Sequence, residues 1–434
     1  MQFSIIHCPL FIIQQTMSLV SEKIVVVDFG SKNAQLYARR VRGLNVFCQM
    51  VGHEVTAEQI KQMNPVGLVY TDNPLGNEIS PEVEALELPT IKDFELTDEG
   101  IALLETFLKD VCHCSGSWTM EKFAENAVEE IRQQVGDGRV VCGLSGGVDS
   151  SVVAALIYKA IGDRLSCIFV DTGLMRKGEP ESVIETFSKQ FKTDLHALDR
   201  ESYFLERLAG VEEPQQKRKI IGKAFIDCFA EEAKKLGDAQ FLAQGTIYPD
   251  IIESGIPGCN AKVIKHHHNV GGLPEDLKFE LVEPLKDLFK DEVRQLGAVL
   301  GLSDEMVKRQ PFPGPGLGVR CLGELTKAKL DILREADAIV REELKKSGWS
   351  EKTSQTFAVL LPVKSVGVKD GERTYENAVA IRSVNTIDFM TATWTHFPYE
   401  ILETMADRIM AEVDGVNRVV YDISKKPSAT IEWE

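Results

Sequence analysis

The segment Ser145–Ser151, with the sequence SGGVDSS, constrains the fold of this chain more than any other. It lies between the apolar run 140–144 (VVCGL), typical of a buried strand in a parallel sheet, and the run 152–157 (VVAALI), typical of a buried helix face. A loop of Ser and Gly at this place leaves backbone N–H groups free at a helix N-terminus, with no side chains blocking close approach. Such a loop binds phosphate. The sequence therefore predicts a strand–loop–helix unit that holds an anion.

The type of loop suggests which phosphate it holds. It lacks the Gly-Lys-Ser/Thr ending of a Walker loop, whose lysine grips a terminal phosphate. It therefore suits chemistry at the α-phosphate of ATP with pyrophosphate leaving, and Mg²⁺ would bridge the phosphates. An ordinary tight strand-to-helix turn is the alternative interpretation. The candidate ATP-binding residues are Ser145, Gly146, Gly147, Val148, Asp149, Ser150 and Ser151, and Asp149 is also a candidate metal ligand.

The charge balance of the chain limits its partners. The 434 residues include 49 Lys and Arg against 66 Asp and Glu, which gives a net charge of −17. An acidic chain is a poor general binder of nucleic acid. Anionic substrates must therefore be held by local clusters of basic residues rather than by the overall field.

Cysteine use and hydropathy point to the cytoplasm. The nine cysteines form no C-x-x-C pair, which favours free thiols in a reducing compartment. The first 20 residues lack the basic start and long apolar core of a signal peptide, and Met17 is a candidate start. The sequence has no run of about 18 apolar residues, so we expect no membrane span.

Apolar runs and breakers predict an α/β fold with an N-terminal extension (1–22) and three domains, at 23–115, 116–309 and 310–434. The pattern weakens between 71 and 99, residues 112–118 are a predicted linker, and the Pro- and Gly-rich run 310–318 marks the start of the last domain. The predicted strands are 23–29, 66–70, 165–171, 241–245, 356–363 and 378–383, and the predicted helices are 35–41, 101–111, 120–135 and 328–346.

From Cys112 to the last residue, a series of motifs resembles the GMP synthase family. In chain order they are SGGVDSS at 145–151, FVD at 169–171, RKGE at 176–179, QKRKIIG at 216–222, QGTIYPD at 244–250, HHNVGGLP at 267–274, RQPFPGPGL at 309–317 and KPSATIEWE at 426–434. A series in this order is very specific. The resemblance implies a central doubly wound, parallel-sheet ATP-pyrophosphatase domain of the adenine nucleotide alpha hydrolase-like type. It also implies a C-terminal α+β dimerisation domain, and hence a homodimer.

The same resemblance implies a ligase that forms a C–N bond. ATP adenylates the 2-oxygen of xanthosine monophosphate (XMP), pyrophosphate leaves, and ammonia then displaces AMP to give GMP. Adenylation turns a poor leaving group into a good one, and catalysis is mostly positioning and charge stabilisation. The residues that match XMP contacts of the family are Arg218, Gln355, Lys426, Ile431 and Glu432, and His267 and His268 match a mobile lid near the active site.

Structural roles remain open for several of these residues. Lys217, Arg218 and Lys219 also fit a solvated helix face, and a C-terminal tail is usually frayed. Arg373 and Arg382 fit phosphate or base contacts and surface ion pairs equally well. Three consecutive histidines without Cys or Asp partners at metal-binding spacing are a weak metal signal.

The first hundred residues begin like the glutaminase domain of the family, with VDFGS at 27–31, QLYARRV at 35–41 and NPVG at 64–67. The resemblance then fails, because the chain has neither a cysteine in a Gly-x-Cys-x-Gly turn nor the His–Glu pair that activates it. We therefore expect the remnant of a class I glutamine amidotransferase domain, with a large deletion at 71–99 and no catalytic triad. Ammonia would be free or come from a separate glutaminase subunit.

The role of the remnant and the reaction itself have alternatives. The remnant could dock such a subunit, while Arg39, Arg40 and Arg42 are also consistent with plain surface charge. The ATP loop is shared with other ATP-pyrophosphatase amidating enzymes such as NAD synthetase, which lack the KPSATIEWE tail. A catalytically inactive paralogue with a regulatory or binding role is the other alternative. XMP-dependent exchange of pyrophosphate into ATP separates these interpretations.

Overall fold

The computed structural model describes residues 22–253, 279–369, 371–386 and 389–434. Three separate sheets organise these residues. We name the parts of the chain that carry them the N-terminal unit (23–111), the central unit (120–307) and the C-terminal unit (327–434). The expected α/β class is confirmed, whereas the boundaries between domains stay a prediction. The predicted lid with His267 and His268, and the first 16 residues, lie outside the described residues.

The N-terminal unit is built on a four-stranded parallel sheet of order β2-β1-β3-β4. Its first strand is apolar at successive positions because both faces of a parallel sheet are covered. The weak sequence pattern at 71–99 corresponds to only two short elements, α3 and β4. The elements are β1 (Lys23–Asp28), α1 (Ala34–Gly43), β2 (Phe47–Gly52), α2 (Ala57–Met63), β3 (Gly67–Tyr70), α3 (Pro81–Glu84), β4 (Thr90–Ile91) and α4 (Asp98–Thr106), followed by a π-helical turn at Phe107–Val111.

The central unit is built on a five-stranded sheet of order β7-β6-β5-β8-β9 in which every pair is parallel. Helices α5, α6 and α11 pack on one face, while α9 and the C-terminal unit cover the other. The elements are α5 (Met120–Val135), β5 (Arg139–Leu144), α6 (Val148–Ile161), β6 (Leu165–Asp171), α7 (Glu179–Glu185), β7 (Asp194–Asp199), α8 (Glu201–Leu208), α9 (Pro214–Leu236), β8 (Ala239–Ala243), α10 (Tyr248–Glu253), β9 (Glu280–Val282), α11 (Lys290–Val299) and α12 (Asp304–Val307).

The C-terminal unit is a mixed sheet covered by two helices. Its two long strands form an antiparallel hairpin, and the last strand adds parallel to the second of them. Helix α13 packs its apolar stripe on this sheet and against the central unit. The elements are α13 (Lys327–Lys346), β10 (Gln355–Lys369), β11 (Glu372–Asn385), β12 (Thr393–Trp394), α14 (Tyr399–Glu412) and β13 (Val416–Asp422).

The contact between the N-terminal and central units corrects one interpretation of the sequence. Arg42 is 5% exposed and pairs with Glu292 of the central unit at 3.1 Å, so it is not plain surface charge. Arg40 on the same helix is exposed, as that interpretation expects. In the described ranges, no helix combines the length and the apolar character needed to cross a bilayer.

Candidate active site

The SGGVDSS loop follows β5 at the carboxyl edge of the central sheet. From β5 the chain first adds β6 on one side and later β8 on the other, so the strand order reverses at β5. Ligands of open parallel α/β sheets bind in the crevice at such a switch point. The topology thus places the candidate ATP loop where this fold provides a binding site.

Glycines shape the loop and leave the following helix open. Gly146 has φ +73°, and a Cβ there would lie 2.7 Å from Met175 Cε, so a larger residue does not fit without a shift. Gly147 is the N-cap of α6, and no side chain caps this helix. Among the described residues, no acceptor meets the N–H groups of Val148 and Asp149. The helix N-terminus therefore presents unpaired donors to a ligand.

Serine hydroxyls hold the loop in this shape from within. The Ser145 N–H donates to Ser150 Oγ at 3.2 Å. The hydroxyls of Ser150 and Ser151 both donate to the Gly147 carbonyl oxygen, at 3.2 and 2.9 Å. These bonds preorganise the loop while its outward N–H groups stay available.

Lys290, the first residue of α11, reaches into the loop. Its Nζ donates to both carboxylate oxygens of Asp149, at 2.6 and 2.5 Å. Gly245, just after β8, faces the same side chain, because a Cβ there would lie 3.2 Å from Asp149 Cβ. A lysine beside the positive end of a helix adds to the attraction for a polyphosphate.

Arg309 adds a second positive charge to the loop. It donates to the Gly146 carbonyl oxygen and pairs with Glu179 at 2.7 Å. Burial lowers the pKa of Arg309 from its usual value, and the Glu179 carboxylate opposes that effect. The arginine therefore carries its charge in a largely dry environment, where electrostatic interactions are stronger than in water.

Three guanidinium groups surround the ring of Phe312, in the Pro- and Gly-rich segment after the central unit. Arg176, Arg309 and Arg320 lie 4.6, 5.4 and 5.0 Å from the ring centroid. We call these three residues the arginine cluster. Arg176 Nη2 and Arg320 Nη1 are buried without a hydrogen-bond partner in the part of the chain that is described. Buried donors without a partner are costly.

The last residues of the chain fold back onto the arginine cluster. Glu432 accepts from Arg320 Nε at 3.0 Å and Nη2 at 2.8 Å, and from Gln355 Nε2 at 2.8 Å. Gln355 also donates to the Pro311 carbonyl oxygen at 3.3 Å. Ile431 is buried. The interpretation of a frayed tail is therefore wrong for these residues.

The basic run at the start of α9 binds the C-terminal residue. Lys217 is fully buried, and its Nζ meets Glu434 Oε2 at 2.5 Å and the Cys321 carbonyl oxygen at 3.0 Å. Arg218 donates to the backbone oxygen of Glu434. Only Lys219 is exposed. The solvated-face interpretation is thus wrong for Lys217 and holds for Lys219.

Arg382 positions the tail from the sheet beneath it. It is fully buried and donates to the carbonyl oxygens of Ser424 at 2.7 Å and Thr430 at 3.1 Å. It is therefore not a surface ion pair. Arg373 is exposed near the tip of the β10–β11 hairpin, opposite Val368.

The structure gathers most of the candidate XMP residues in one place. Arg218, Gln355, Ile431 and Glu432 all belong to the network around the last four residues. Lys426 lies further back, where its Nζ donates to the Phe389 carbonyl oxygen at 2.6 Å. The arginine cluster joins this network to the ATP loop, since Arg309 contacts the loop and Arg320 contacts Glu432.

The sequence patterns did not single out Lys290 or the arginine cluster (Arg176, Arg309 and Arg320) as site residues. Two signals for the arginines were available in the sequence. A chain of net charge −17 needs a local basic cluster to bind anions, and Arg176 opens the RKGE motif. No sequence signal pointed to Lys290, because its approach to Asp149 depends on how α11 packs beside α6.

The loop fits a magnesium ion only as one brought by the nucleotide. The described ranges contain no group of three or more His, Cys, Asp or Glu side chains that could hold a metal. Magnesium usually keeps several waters and binds one or two carboxylates together with substrate phosphates. Asp149 is the one carboxylate of the loop, and both of its oxygens accept from Lys290 here.

The described cysteines of the N-terminal unit and its linker do not form a nucleophilic site. Cys48 is buried in β2, where its Sγ donates to the Ala38 carbonyl oxygen at 3.4 Å and burial raises its pKa to about 11. Burial also raises the pKa of Cys112 to about 12 and that of Cys114 to about 11. These thiols stay protonated near neutral pH, whereas a nucleophile needs the thiolate.

Two known families match parts of the chain. The family described as "GMP synthase C terminal domain" matches residues 342–433, and the family described as "NAD synthase" matches residues 119–202. Among solved structures, an NMN synthetase from Francisella tularensis is similar over 49% of this chain and 84% of its own, with 15% identity and a TM-score of 0.35.

Curated relatives are similar over most of the chain. A GMP synthase (glutamine-hydrolyzing) from Fusobacterium nucleatum is 59% identical over 338 residues, which cover 78% of this chain and 66% of the relative. A GMP synthase (glutamine-hydrolyzing) from Carboxydothermus hydrogenoformans is 45% identical over 511 aligned positions, which cover 96% of this chain and 100% of the relative. The resemblance in the sequence motifs is thereby confirmed, and the chain belongs to the GMP synthase family.

Proposed function

We propose that this chain converts XMP to GMP with ATP, through an adenyl-XMP intermediate, and releases AMP and pyrophosphate. The observation that carries the proposal is the arginine cluster, which links the open N-terminus of α6 to the network around Glu432. The candidate phosphate loop and the unpaired donors of Arg176 and Arg320 are thus connected through the arginine cluster. Adenylation of one nucleotide by another needs two adjoining sites.

In this proposal the ATP loop (145–151) holds the departing pyrophosphate. The 2-oxygen of XMP attacks the α-phosphorus, and the bond from that phosphorus to the pyrophosphate oxygen breaks. The unpaired N–H groups of Val148 and Asp149, with Lys290 and Arg309, meet the negative charge that moves onto pyrophosphate. A magnesium ion bound with ATP, with Asp149 as its protein ligand, would neutralise further charge on the phosphates.

Arg218, Gln355, Lys426, Ile431 and Glu432 are the proposed XMP contacts. The carboxylate of Glu432 is held by Arg320 and Gln355, so its direction is fixed before a ligand binds. A carboxylate accepts from purine N–H groups, while the free donors of Arg176 and Arg320 suit a phosphate. Ammonia then attacks the adenylated carbon, loses a proton, and AMP leaves.

We further propose that the ammonia does not come from this chain. The alignment with the Carboxydothermus relative spans 511 positions, 77 more than the 434 residues available here, so at least 77 positions of it have no residue in this chain. This agrees with a degenerate amidotransferase remnant at 23–115 that has lost its triad. Free ammonia or a separate glutaminase subunit would supply the nitrogen.

We also propose a cytoplasmic homodimer that associates through the C-terminal unit. Large apolar side chains are exposed on the β10–β11 hairpin, among them Val366, Val368 and Tyr375. Clustered exposed apolar residues of this kind favour association. Light scattering of the purified protein measures the mass directly, and a monomer at micromolar concentration would contradict the dimer.

The function is tested by isotope exchange and by product analysis. With ATP and labelled pyrophosphate, we expect exchange only when XMP is present, and with ammonium chloride we expect GMP. With glutamine alone we expect at least a 100-fold lower rate of GMP formation, since no triad is present. Exchange that requires deamido-NAD instead would favour an NAD synthetase, and no exchange with either substrate would favour an inactive paralogue.

A further inference from the structure

Arg42 of the N-terminal unit is buried against the central unit. Its Nη1 donates to both oxygens of Glu292, at 3.1 and 3.2 Å. Its Nη2 donates to the carbonyl oxygens of Cys48 at 2.8 Å and Asp287 at 3.1 Å. One side chain therefore joins β2 of the N-terminal sheet to the turn before α11 and to α11 itself.

Glu292 is held from three directions, so its position is strongly determined. Besides Arg42, the indole N–H of Trp118 donates to Glu292 Oε1 at 2.5 Å. The Phe289 backbone N–H donates to Oε2 at 2.8 Å, which fixes the first turn of α11. The Arg42 guanidinium also lies 4.6 Å from the Trp118 ring. The N-terminus of α11 is thus anchored to the N-terminal unit.

The anchored turn carries a residue of the ATP loop network. Lys290 lies between Phe289 and Glu292 in the chain, and its Nζ holds both oxygens of Asp149. A helix is stiff along its backbone, so fixing Phe289 and Glu292 fixes where the Lys290 side chain begins.

A second connection runs beside the first. The Met50 N–H in β2 donates to the Tyr248 hydroxyl oxygen at 2.6 Å, across the same boundary. Tyr248 is buried and belongs to the segment after β8, three residues beyond Gly245, which packs on Asp149. Two separate contacts of the N-terminal unit therefore lead to the same residue of the ATP loop.

We propose that the N-terminal unit, without glutaminase chemistry, positions the ATP site through Arg42–Glu292 and Met50–Tyr248. In this role Arg42 and Tyr248 are positioning residues that set Lys290 and Gly245 around Asp149. The proposal rests on the proposed function for its kinetic readout.

The alternative is that the contacts only stabilise the fold, and matched variants separate the two. The double variant Arg42→Met with Glu292→Gln removes both charges of the pair together, so neither partner of this ion pair remains as an unpaired buried charge. Tyr248→Phe removes only the hydroxyl. Tyr37→Phe is its control, because the Tyr37 hydroxyl donates to the Phe94 carbonyl oxygen inside the N-terminal unit.

The readouts are the Kd of α,β-methylene-ATP by calorimetry, the KM values for ATP and ammonia, and the melting temperature, all on the full chain. We expect the double variant and Tyr248→Phe to raise the Kd of the ATP analogue and the KM for ATP at least fivefold, with the KM for ammonia within twofold of wild type. We expect Tyr37→Phe to leave this Kd and both KM values within twofold. ATP constants within twofold of wild type in Tyr248→Phe overturn the proposal, whether or not the double variant folds.

The calorimetric Kd of the ATP analogue tests the positioning role independently of the proposed reaction. If the wild type binds the ATP analogue but shows no XMP-dependent exchange, the proposed function fails while the binding comparison still decides the positioning role. If exchange is normal and all variants bind the analogue equally, the reaction stands and the positioning role fails.

Discussion

The turn after β1 and the loop after β5 have a similar strand–turn–helix shape. They differ in the groups that accept from their N–H donors and in the charge around them. Each follows a buried parallel strand, precedes a helix and contains a glycine with positive φ, +87° at Gly30 and +73° at Gly146. After β1, Asp28 Oδ1 accepts the N–H groups of Gly30 and Ser31 at 2.9 and 3.0 Å. After β5, the N–H groups of Ser145 and Gly147 donate to serine hydroxyls instead, at 3.2 and 3.3 Å. Neither α1 nor α6 has a side-chain cap. The strand–turn–helix shape alone therefore does not make an anion site.

Charge separates the two edges further. Beside the β1 turn, the hydroxyl of Ser31 donates to the carboxylate of Asp72, so two acidic groups lie close to the turn. Beside the β5 loop, Lys290 and Arg309 both reach in. An edge whose donors are already used by carboxylates repels phosphate, while an edge with free donors and cations attracts it.

The largest expected effect on activity comes from the same substitution at the two glycines. Gly146→Ala and Gly30→Ala each force a residue into positive φ, and each new Cβ would lie 2.7 Å from a side chain, Met175 Cε or Leu75 Cδ1. Each should cost about 1–2 kcal/mol of stability. Only Gly146→Ala should lower kcat/KM for ATP, by about 100-fold, because it displaces the phosphate-binding backbone. Steady-state kinetics and urea unfolding measure both; equal activity losses would remove the contrast.

The second effect concerns helix α13, which carries a buried counter-charge for the arginine cluster beside the β5 loop. Asp337 of α13 is fully buried, pairs with Arg176 at 3.1 Å and accepts from Arg341 at 3.0 Å. Asp337→Asn leaves these arginines without their counter-charge and should cost about 3–5 kcal/mol in urea unfolding. Asp331→Asn on the same helix, whose half-exposed carboxylate pairs with Arg334, is the control and should cost under about 1 kcal/mol.

The pH dependence of this difference has a defined sign. Burial alone would raise the pKa of Asp337, but Arg176, Arg341 and Arg320 lower it overall. Because the folded pKa is depressed, the stabilisation is fully present above the unfolded pKa of about 3.9 and is lost as pH falls through the folded value. The gap between wild type and Asp337→Asn should stay constant from about pH 5 to 8 and shrink below about pH 4. A gap that widens on acidification would contradict the assignment.

How much the sequence could predict follows from what each residue depends on. The loop 145–151, α5 and β6 were predictable because apolar period and glycine placement act locally. Helix α9 was not predicted. Its first turns carry the basic run 217–219, and Lys217 in this run is buried by Glu434, which lies 217 residues further along the chain. The motif resemblance, rather than periodicity, brought Arg218 and the tail into consideration.

Residues whose role depends on packing between units could not be predicted. Arg42 lies on the buried side of α1, but its cover comes from Phe47, Trp118 and the Glu292 carboxylate, which the sequence around α1 does not indicate. Lys290 likewise opens an ordinary amphipathic helix. In both cases the partner, Glu292 or Asp149, lies more than 140 residues away in the chain, and no local pattern records such a pairing.

A smaller effect is expected where the β1 turn uses its own carboxylate. Asp28→Ala frees the N–H groups of Gly30 and Ser31, which are exposed or half-buried and can bond water instead. The loss of stability should be about 1 kcal/mol, as for removal of a helix cap. Activity with ammonium should stay within twofold. A large loss of ammonia-dependent activity would mean that the β1 edge takes part in the reaction.

The smallest expected effect is on thiol chemistry in the N-terminal unit. With a pKa of about 11, about a thousandth of the Cys48 thiol is ionised at pH 8, and burial slows access further. Iodoacetamide should therefore label Cys48 in the native protein at least 100-fold more slowly than in urea, as measured by peptide mass spectrometry. Cys48→Ala should leave ammonia-dependent GMP formation within twofold. Fast labelling of Cys48 in the native protein would show that this thiol is a reactive nucleophile, which contradicts its burial. Glutamine-dependent activity that Cys48→Ala abolishes would show the same.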